Sequence, residues 1–122
     1  MPWRWKQSTG ELYDPAGKLV ERGYSGRGPG VNNPNLQHVA DTGPIPEGVW
    51  LMGAAVARHP RMGPITIPLT QVEGERFGRH SFFVHGDNHA MNRTASSGCP
   101  IVGRRGRERM EASKDRYLKV EP

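Results

Sequence analysis

Residues 81–86 read Ser81-Phe82-Phe83-Val84-His85-Gly86, and residues 96–100 read Ser96-Ser97-Gly98-Cys99-Pro100. The run of β-formers that ends at His85 predicts a buried strand, and Gly86 allows the chain to leave that strand sharply. The segment between His85 and Cys99 is long enough for a loop that brings the chain back beside the same strand. Neighbouring strands lie about 4.8 Å apart, so the imidazole and the thiol are expected within hydrogen-bond reach at one end of a sheet.

Cys99 has the local sequence of a nucleophile. It is the only cysteine of the chain, and the small residues before it leave room for an exposed thiol. They also allow two backbone N–H groups, those of Gly98 and Cys99, to point at one spot as an oxyanion hole. The alternative is a small buried hydrophobe beside a structural histidine. A core cysteine more often has apolar neighbours on both sides, so these residues leave both interpretations open, and in the catalytic one His85 is the base of Cys99.

Length and composition predict one small β-rich domain over residues 1–122. A chain of 122 residues supports a single modest core, and 16 glycines with 11 prolines favour many turns, short strands and little helix. No apolar stretch approaches the ~20 residues that span a bilayer, so no membrane span is expected. Residues 1–10 lack the apolar region of a signal peptide. The expectation is synthesis in the cytoplasm and delivery to a periplasm or cell wall by a route other than Sec.

Hydrophobic patterns divide the chain into short strands and one helix. The expected elements are a β-meander over 3–24, strands over 49–52, 65–72, 81–84 and 101–102, a helix over 104–113 and a closing strand over 117–120. Pro68 predicts an edge or a bulge in its strand, because proline cannot donate to a sheet. The long loop over residues 24–46 is expected to border a cleft, since such segments in small domains are usually functional or disordered.

A second constellation overlaps the Cys–His site. His85, Asp87 and His89 form an H-x-D-x-H pattern, and alternate residues of a strand share a face that could hold a metal. Gly86 and Asn88 are poor strand residues, however, so Asp87 is expected to fix a loop turn by accepting hydrogen bonds from backbone N–H groups. The sequence therefore predicts no metal and no cofactor.

The positive charge of the chain leaves several partners open. A net charge of +5 is compatible with nucleic acid, anionic membranes or an acidic polymer such as peptidoglycan. The basic run over residues 104–107 lacks interleaved aromatic residues, so we expect a solvated helix start there, with Arg107 and Glu111 as an i,i+4 pair. Nucleic acid is therefore not an expected partner.

Short motifs along the chain occur in the order found in a known family. They are Gly23-Tyr24-Ser25-Gly26, Asn32-Asn33-Pro34, Gly43-Pro44-Ile45-Pro46-Glu47-Gly48, Gly78-Arg79, His85-Gly86, Ser96-Ser97-Gly98-Cys99 and the segment 109–120. A histidine followed by S-x-G-C is similar to the active-site signature of the L,D-transpeptidase catalytic domain. The whole pattern most resembles the short Tlde1-type subfamily, found as peptidoglycan-targeting effectors of type VI secretion and in related phage and bacterial proteins.

The resemblance implies a fold and an activity. The fold would be a single small, mainly β, L,D-transpeptidase-like sandwich or barrel with one short helix after the catalytic cysteine. The activity would be cysteine acyl transfer on peptidoglycan peptide stems, as an L,D-carboxypeptidase, a transpeptidase or a D-amino-acid exchange enzyme. Such a secreted antibacterial effector would have a cognate immunity protein and secretion machinery as partners. A non-catalytic peptidoglycan-binding module is the alternative.

The resemblance also implies roles for individual residues, with Cys99 as nucleophile and His85 as base. The oxyanion hole and its supporting residues are expected among Gly86, Ser96, Ser97 and Gly98, and substrate contacts among Tyr24, Arg79 and Asp87.

Three positions need comment. Arg79 is open to two interpretations: a surface cation, or an arginine near the site that orders a loop or binds a substrate carboxylate. Ser97 stands where many L,D-transpeptidases have histidine, and Pro100 stands where a residue with an N–H usually follows the cysteine. Because proline fixes φ and removes a donor, these two departures bear on substrate orientation more than on the nucleophile.

Overall fold

The protein folds as one curled eight-stranded β-sheet with a single α-helix, in a computed structural model that describes residues 1–122. The strands are β1 (Trp3–Lys6), β2 (Glu11–Tyr13), β3 (Leu19–Arg22), β4 (Gly48–Met52), β5 (Val56–His59), β6 (Gly63–Glu73), β7 (Phe82–Val84) and β8 (Tyr117–Glu121). The helix α1 (Arg104–Ala112) lies between β7 and β8 in the chain. The prediction of a mainly β fold with one short helix after Cys99 is confirmed.

The order of the strands places the two chain ends in the centre of the sheet. Neighbours follow the order β3-β2-β1-β8-β4-β6-β5, and β7 pairs with β6 off this path. β8 runs parallel to β1 on one side and antiparallel to β4 on the other. The final strand therefore joins the N-terminal meander to β4, β6 and β7, which carry the site.

Alternating residues supply the core. Trp3 and Trp5 are 2% and 0% exposed and point to the same face of β1, as the period of a strand requires. Trp50 of β4 and Leu118 of β8 continue this apolar layer, and Met110 of α1 packs onto it. Each such side chain stabilises the fold by roughly 1.5 to 3 kcal/mol by leaving water.

The 24–46 loop is compact. It contains two 3-10 helices, Gly28–Gly30 and Pro34–Leu36, and each has a proline at its first or second position. Ala40 and Asp41 of this loop line a cleft described below, so the prediction that the loop borders a cleft is confirmed.

Two strand predictions need correction. The pattern missed β5, a short and mostly exposed strand. Pro68 is not at a sheet edge, because β6 lies inside the sheet. The ladder is irregular opposite it, since the pairs Met52↔Leu69 and Val56↔Thr66 leave three residues between β4 and β5 facing two residues of β6. Gly53 donates to the Pro68 carbonyl at 2.8 Å, just beyond the end of β4. In an antiparallel ladder the N–H and C=O of a residue face the same neighbour. Pro68 therefore lies opposite the segment between β4 and β5, where no strand requires the N–H that proline lacks.

The helix also differs from its prediction. It ends at Ala112, one residue early, and Arg104 pairs with Glu108 at 3.6 Å in place of the expected pair between Arg107 and Glu111. Arg107 is only 6% exposed, so the expectation of a fully solvated helix start is wrong at this position. The structure contains no helix with the length and hydrophobicity that crossing a bilayer requires.

Candidate active site

The backbone after Cys99 returns beside the end of β7, as the sequence predicts. His85 donates its N–H to Pro100 O at 3.2 Å, and Val102 donates to His85 O at 3.0 Å. On the other side Ile101 donates to Tyr24 O at 2.7 Å. Residues 100–102 therefore lie between the Tyr24 segment and His85, and only isolated bridges at Ile101 remain of the strand expected there. This pairing places Cys99 next to the strand that ends in His85.

The Cys99 thiol is buried and not exposed, in contrast to the expectation. The residue is 8% exposed, and its Sγ accepts a hydrogen bond from the Phe83 N–H at 3.3 Å. The thiol donates to Ser81 O at 3.7 Å. Burial raises the pKa of Cys99 from 9.0 to about 11, against the smaller opposing effects of the Phe83 N–H and the Arg79 cation. Cys99 at rest is therefore a protonated thiol.

The His85 imidazole is oriented by its own backbone neighbour. His85 is 5% exposed, and Nδ1 lies 2.9 Å from Gly86 O. A carbonyl only accepts, so Nδ1 carries the proton and Nε2 presents a free lone pair. Burial lowers the pKa of His85, and the Arg107 cation acts in the same direction. No hydrogen bond joins His85 to Cys99 in this state, so the resting site holds a neutral imidazole and a neutral thiol.

Ser96 shapes the turn that carries Cys99. Its Oγ accepts hydrogen bonds from the Gly26 and Gly98 N–H groups at 3.0 and 2.9 Å and donates to Cys99 O at 2.6 Å. The Gly98 N–H is therefore engaged, and the expectation that it serves in an oxyanion hole is wrong for this state. The Cys99 N–H makes no hydrogen bond and remains the candidate donor. Ser97, in contrast, is exposed at the cleft.

Arg79 is a buried side chain that holds loops together, and it is not a surface cation. It is 6% exposed, and its two terminal nitrogens donate to four carbonyls, those of Gln37, Gly43, Pro44 and Ser97. A Cβ on Gly98, at φ +144°, would lie 2.4 Å from Arg79 Nη2. Only glycine therefore permits the guanidinium to approach the turn before Cys99. The loop-ordering interpretation is confirmed, and these carbonyls leave the terminal nitrogens little capacity for a substrate carboxylate.

Tyr24 and Asp87 bind each other. The Tyr24 hydroxyl donates to Asp87 Oδ1 at 2.8 Å and accepts from the Ala95 N–H at 3.1 Å. Burial, together with this carboxylate, raises the pKa of Tyr24 to about 12. Asp87 Oδ1 also accepts from the Asn88 N–H at 2.9 Å, so its predicted role in a loop turn is confirmed. The pair ties both ends of the loop after β7 to the Tyr24 segment.

A cleft of about 740 Å³ opens beside Cys99. Of the predicted site residues, the structure brings His85, Gly86, Asp87, Arg79, Ser97, Gly98 and Cys99 to its wall. Tyr24 and Ser96 lie behind the wall and act through the backbone. The cleft volume suits a peptide or a drug-sized ligand, and one wall carries both a thiol and a basic nitrogen.

A family model of the Tlde1 domain matches residues 20–120 of the chain. The chain belongs to the Tlde1 domain family. This is a family of type VI secretion effector domains. No curated protein matches the chain.

In this Tlde1 domain the matched region contains every residue of the cleft wall, and it also contains two supporting residues that sequence reasoning missed. Ser25 Oγ donates to Gly98 O at 2.6 Å and accepts from the Ile45 N–H at 2.9 Å. Arg107 donates to the carbonyls of Val102 and Pro64, and its guanidinium packs on Gly86, where a Cβ would lie 2.8 Å from Nη2. Ser25 belongs to the Gly-Tyr-Ser-Gly motif, which was the available signal, whereas Arg107 resembles any helix-surface arginine.

Other cleft residues of this Tlde1 domain carry no motif signal. They include Arg61 and His80, and Ser81, which adopts φ 66° and offers its carbonyl to the Cys99 thiol. The structure groups no three His, Cys, Asp or Glu side chains in an arrangement that could hold a metal ion. Of the H-x-D-x-H pattern, His85 and Asp87 are at the cleft wall, and His89 is exposed outside it.

Proposed function

We propose that this Tlde1 domain is a cysteine acyl-transfer enzyme that acts on the peptide stems of peptidoglycan. The observation that carries the proposal is the wall of the cleft, to which Cys99 and His85 both contribute, with the thiol protonated and the imidazole neutral. A thiol beside a neutral imidazole is the arrangement that a nucleophile and its general base require. Peptidoglycan stems as the substrate are supported by the effector family and by the resemblance to L,D-transpeptidases.

The first step begins from neutral groups. The weak 3.7 Å bond from the thiol to Ser81 O breaks, and His85 Nε2 takes the thiol proton as Sγ attacks the carbonyl carbon of diaminopimelate, next to the terminal D-residue. The carbonyl oxygen gains negative charge, which the free Cys99 N–H stabilises. Loss of one such donor in other enzymes costs about 2.7 to 4 kcal/mol of transition-state stabilisation.

The second step releases the products. The C–N bond breaks, and the imidazolium of His85 returns its proton to the leaving amine, so a D-amino acid departs and a thioester remains on Cys99. Water attack on the thioester completes a carboxypeptidase cycle, a free D-amino acid completes exchange, and the amine of another stem completes a cross-link. The hydrogen bond from Nδ1 to Gly86 O holds the imidazole in the required tautomer throughout.

The proposal includes the place of action. Membership of an effector family supports delivery by a type VI route to the periplasm or cell wall of a target cell, where stem peptides are found, and a cognate immunity protein in the producing cell. The burial of Cys99 and His85 makes them accessible only through the cleft, so an immunity protein that covers the cleft would silence the enzyme.

Release of D-alanine from disaccharide tetrapeptides by the purified protein, followed by mass spectrometry, tests the proposal. Wild type and His89→Ala are expected to release it, while Cys99→Ala and His85→Ala are not; circular dichroism verifies that each variant folds. His89→Ala is the matched control because its imidazole lies outside the cleft. Activity should decline only below pH 6.5, since the lowered pKa of His85 keeps the base unprotonated at neutral pH. Sedimentation with sacculi without any product would support a binding module and overturn the proposal.

A further inference from the structure

The cationic side chains of the cleft differ in what they are free to bind. Two arginines line it, Arg61 and Arg79. Both terminal nitrogens of Arg79 are occupied by backbone carbonyls. The guanidinium of Arg61 makes no hydrogen bond and no ion pair, and the residue is exposed at the cleft mouth. Arg61 is therefore the arginine of the cleft whose full set of donors is available to a ligand.

The backbone under Arg61 is held in place relative to the nucleophile. Arg61 lies in the turn between β5 and β6, where the His59 Nδ1 accepts from the Arg61 and Met62 N–H groups at 3.1 and 3.2 Å. The His59 ring packs against Phe83 with 5.6 Å between ring centroids. Phe83 in turn donates its N–H to Cys99 Sγ. One continuous set of contacts therefore runs from the turn to the thiol, while the Arg61 side chain itself stays free.

We infer that Arg61 determines specificity by binding a carboxylate of the stem peptide while the scissile carbonyl lies at Cys99. The inference rests on the proposed function, because it assigns the recognition of that substrate. A stem carries one carboxylate on the terminal D-residue and another on the diaminopimelate side chain, and the planar guanidinium fork binds either by two parallel hydrogen bonds. The cleft has no other arginine for this role, because the terminal nitrogens of Arg79 already donate to backbone carbonyls.

The experiment compares three substrates: the free-acid tetrapeptide, its terminal carboxamide, and the peptide amidated on diaminopimelate. Each is tested with wild type, Arg61→Gln, Arg61→Lys and the control Arg58→Gln. Arg58 is an exposed arginine of the same hairpin that does not line the cleft. Arg61→Gln is expected to lower kcat/KM for the free acid by roughly 10- to 100-fold, mainly through KM, as for loss of a charged hydrogen-bonded contact. Arg61→Lys should restore part of the loss, and Arg58→Gln should change kcat/KM less than 2-fold or so.

The amidated substrates separate the two carboxylates from a merely structural role. One of the two amidated substrates lacks the carboxylate that Arg61 binds. Wild type and Arg61→Gln should turn over that substrate equally slowly. A loss in Arg61→Gln of the same size on all three substrates, or no greater than that in Arg58→Gln, would overturn the inference while leaving the proposed function intact.

Calorimetric binding to Cys99→Ala keeps the two proposals distinguishable. If wild type turns over none of the substrates, the proposed function is overturned. Preference of Cys99→Ala for the free acid over an amide, lost in the double variant with Arg61→Gln, would still support the carboxylate site. Equal binding of acid and amides would overturn the inference as well.

Discussion

The protonation state of Cys99 allows the physical description of the site to be tested directly. Burial raises its pKa from 9.0 to about 11, which corresponds to roughly 3 kcal/mol in favour of the thiol form. Because the protonated form is favoured, the thiolate fraction at pH 7 is about 100-fold lower than for an exposed cysteine. A thiolate of higher pKa is intrinsically more nucleophilic, by roughly 10-fold for two units. Iodoacetamide should therefore alkylate Cys99 at pH 7 about 10-fold more slowly than a model thiol.

The direct assay is thiolate absorbance near 240 nm followed against pH in wild type and in His85→Ala. Cys99→Ala serves as the blank, because tyrosines also titrate in the alkaline range. Both proteins should show a midpoint well above pH 9. The midpoint should be the same in the two, since no hydrogen bond joins His85 to the thiol in the resting state and His85 does not contribute to the pKa shift of Cys99.

A thiol that titrates below about pH 8.5 in wild type, and moves upward in His85→Ala, would refute this reasoning. It would mean that the two side chains form a thiolate–imidazolium pair, of the kind that lowers cysteine pKa values to ~3.5 to 7.5 in other enzymes. The mechanism would then start from a preformed thiolate and not from proton transfer during attack.

Three further predictions concern the support of the site. Ser96→Ala should lower the free energy of unfolding in urea by roughly 2 to 4 kcal/mol, because two buried N–H groups lose their acceptor. The control Ser97→Ala should change it by less than about 0.5 kcal/mol, and equal effects of the two substitutions would contradict the hydrogen bonds described. Gly98→Ala should cost more than Gly17→Ala, because Gly17 also has a positive φ (+85°, against +144° at Gly98) but has open space around it; Gly17→Ala should cost about 1 to 2 kcal/mol in the same titration. Tyr24→Phe should accelerate amide hydrogen exchange in the loop after β7, because one hydroxyl ties both ends of that loop, and unchanged exchange would show that the tie does not restrain it.

Local signals explain which elements were predictable. The β-formers before His85, the alternation of Trp3 and Trp5, and the turn residues between strands depend on neighbours in the chain, and they predicted most strands and the helix to within a residue or two. β5 was missed because a short exposed strand has no apolar period to detect. The edge predicted from Pro68 was wrong because a missing N–H donor matters only where a partner strand lies opposite. Opposite Pro68, β4 has ended and β5 has not yet begun.

Arginine burial was beyond sequence reasoning for a different reason. Arg79 and Arg107 look like surface cations in the chain, yet both are buried by donating to backbone carbonyls from distant segments. The same long-range geometry occupies the Gly98 N–H with Ser96 and leaves the Cys99 N–H free. Which donors and charges remain available to a ligand, such as those of Arg61, depends on the complete set of contacts.

Local patterns and motif order are sufficient to predict the β class of this Tlde1 domain, the return of the Cys99 segment to the strand that ends in His85, and the family. The protonation of the site, in contrast, follows only from the folded arrangement. A pKa depends on how much water and which charges surround a group, and the thiol that looked exposed among small residues is buried beneath segments that are remote in the chain.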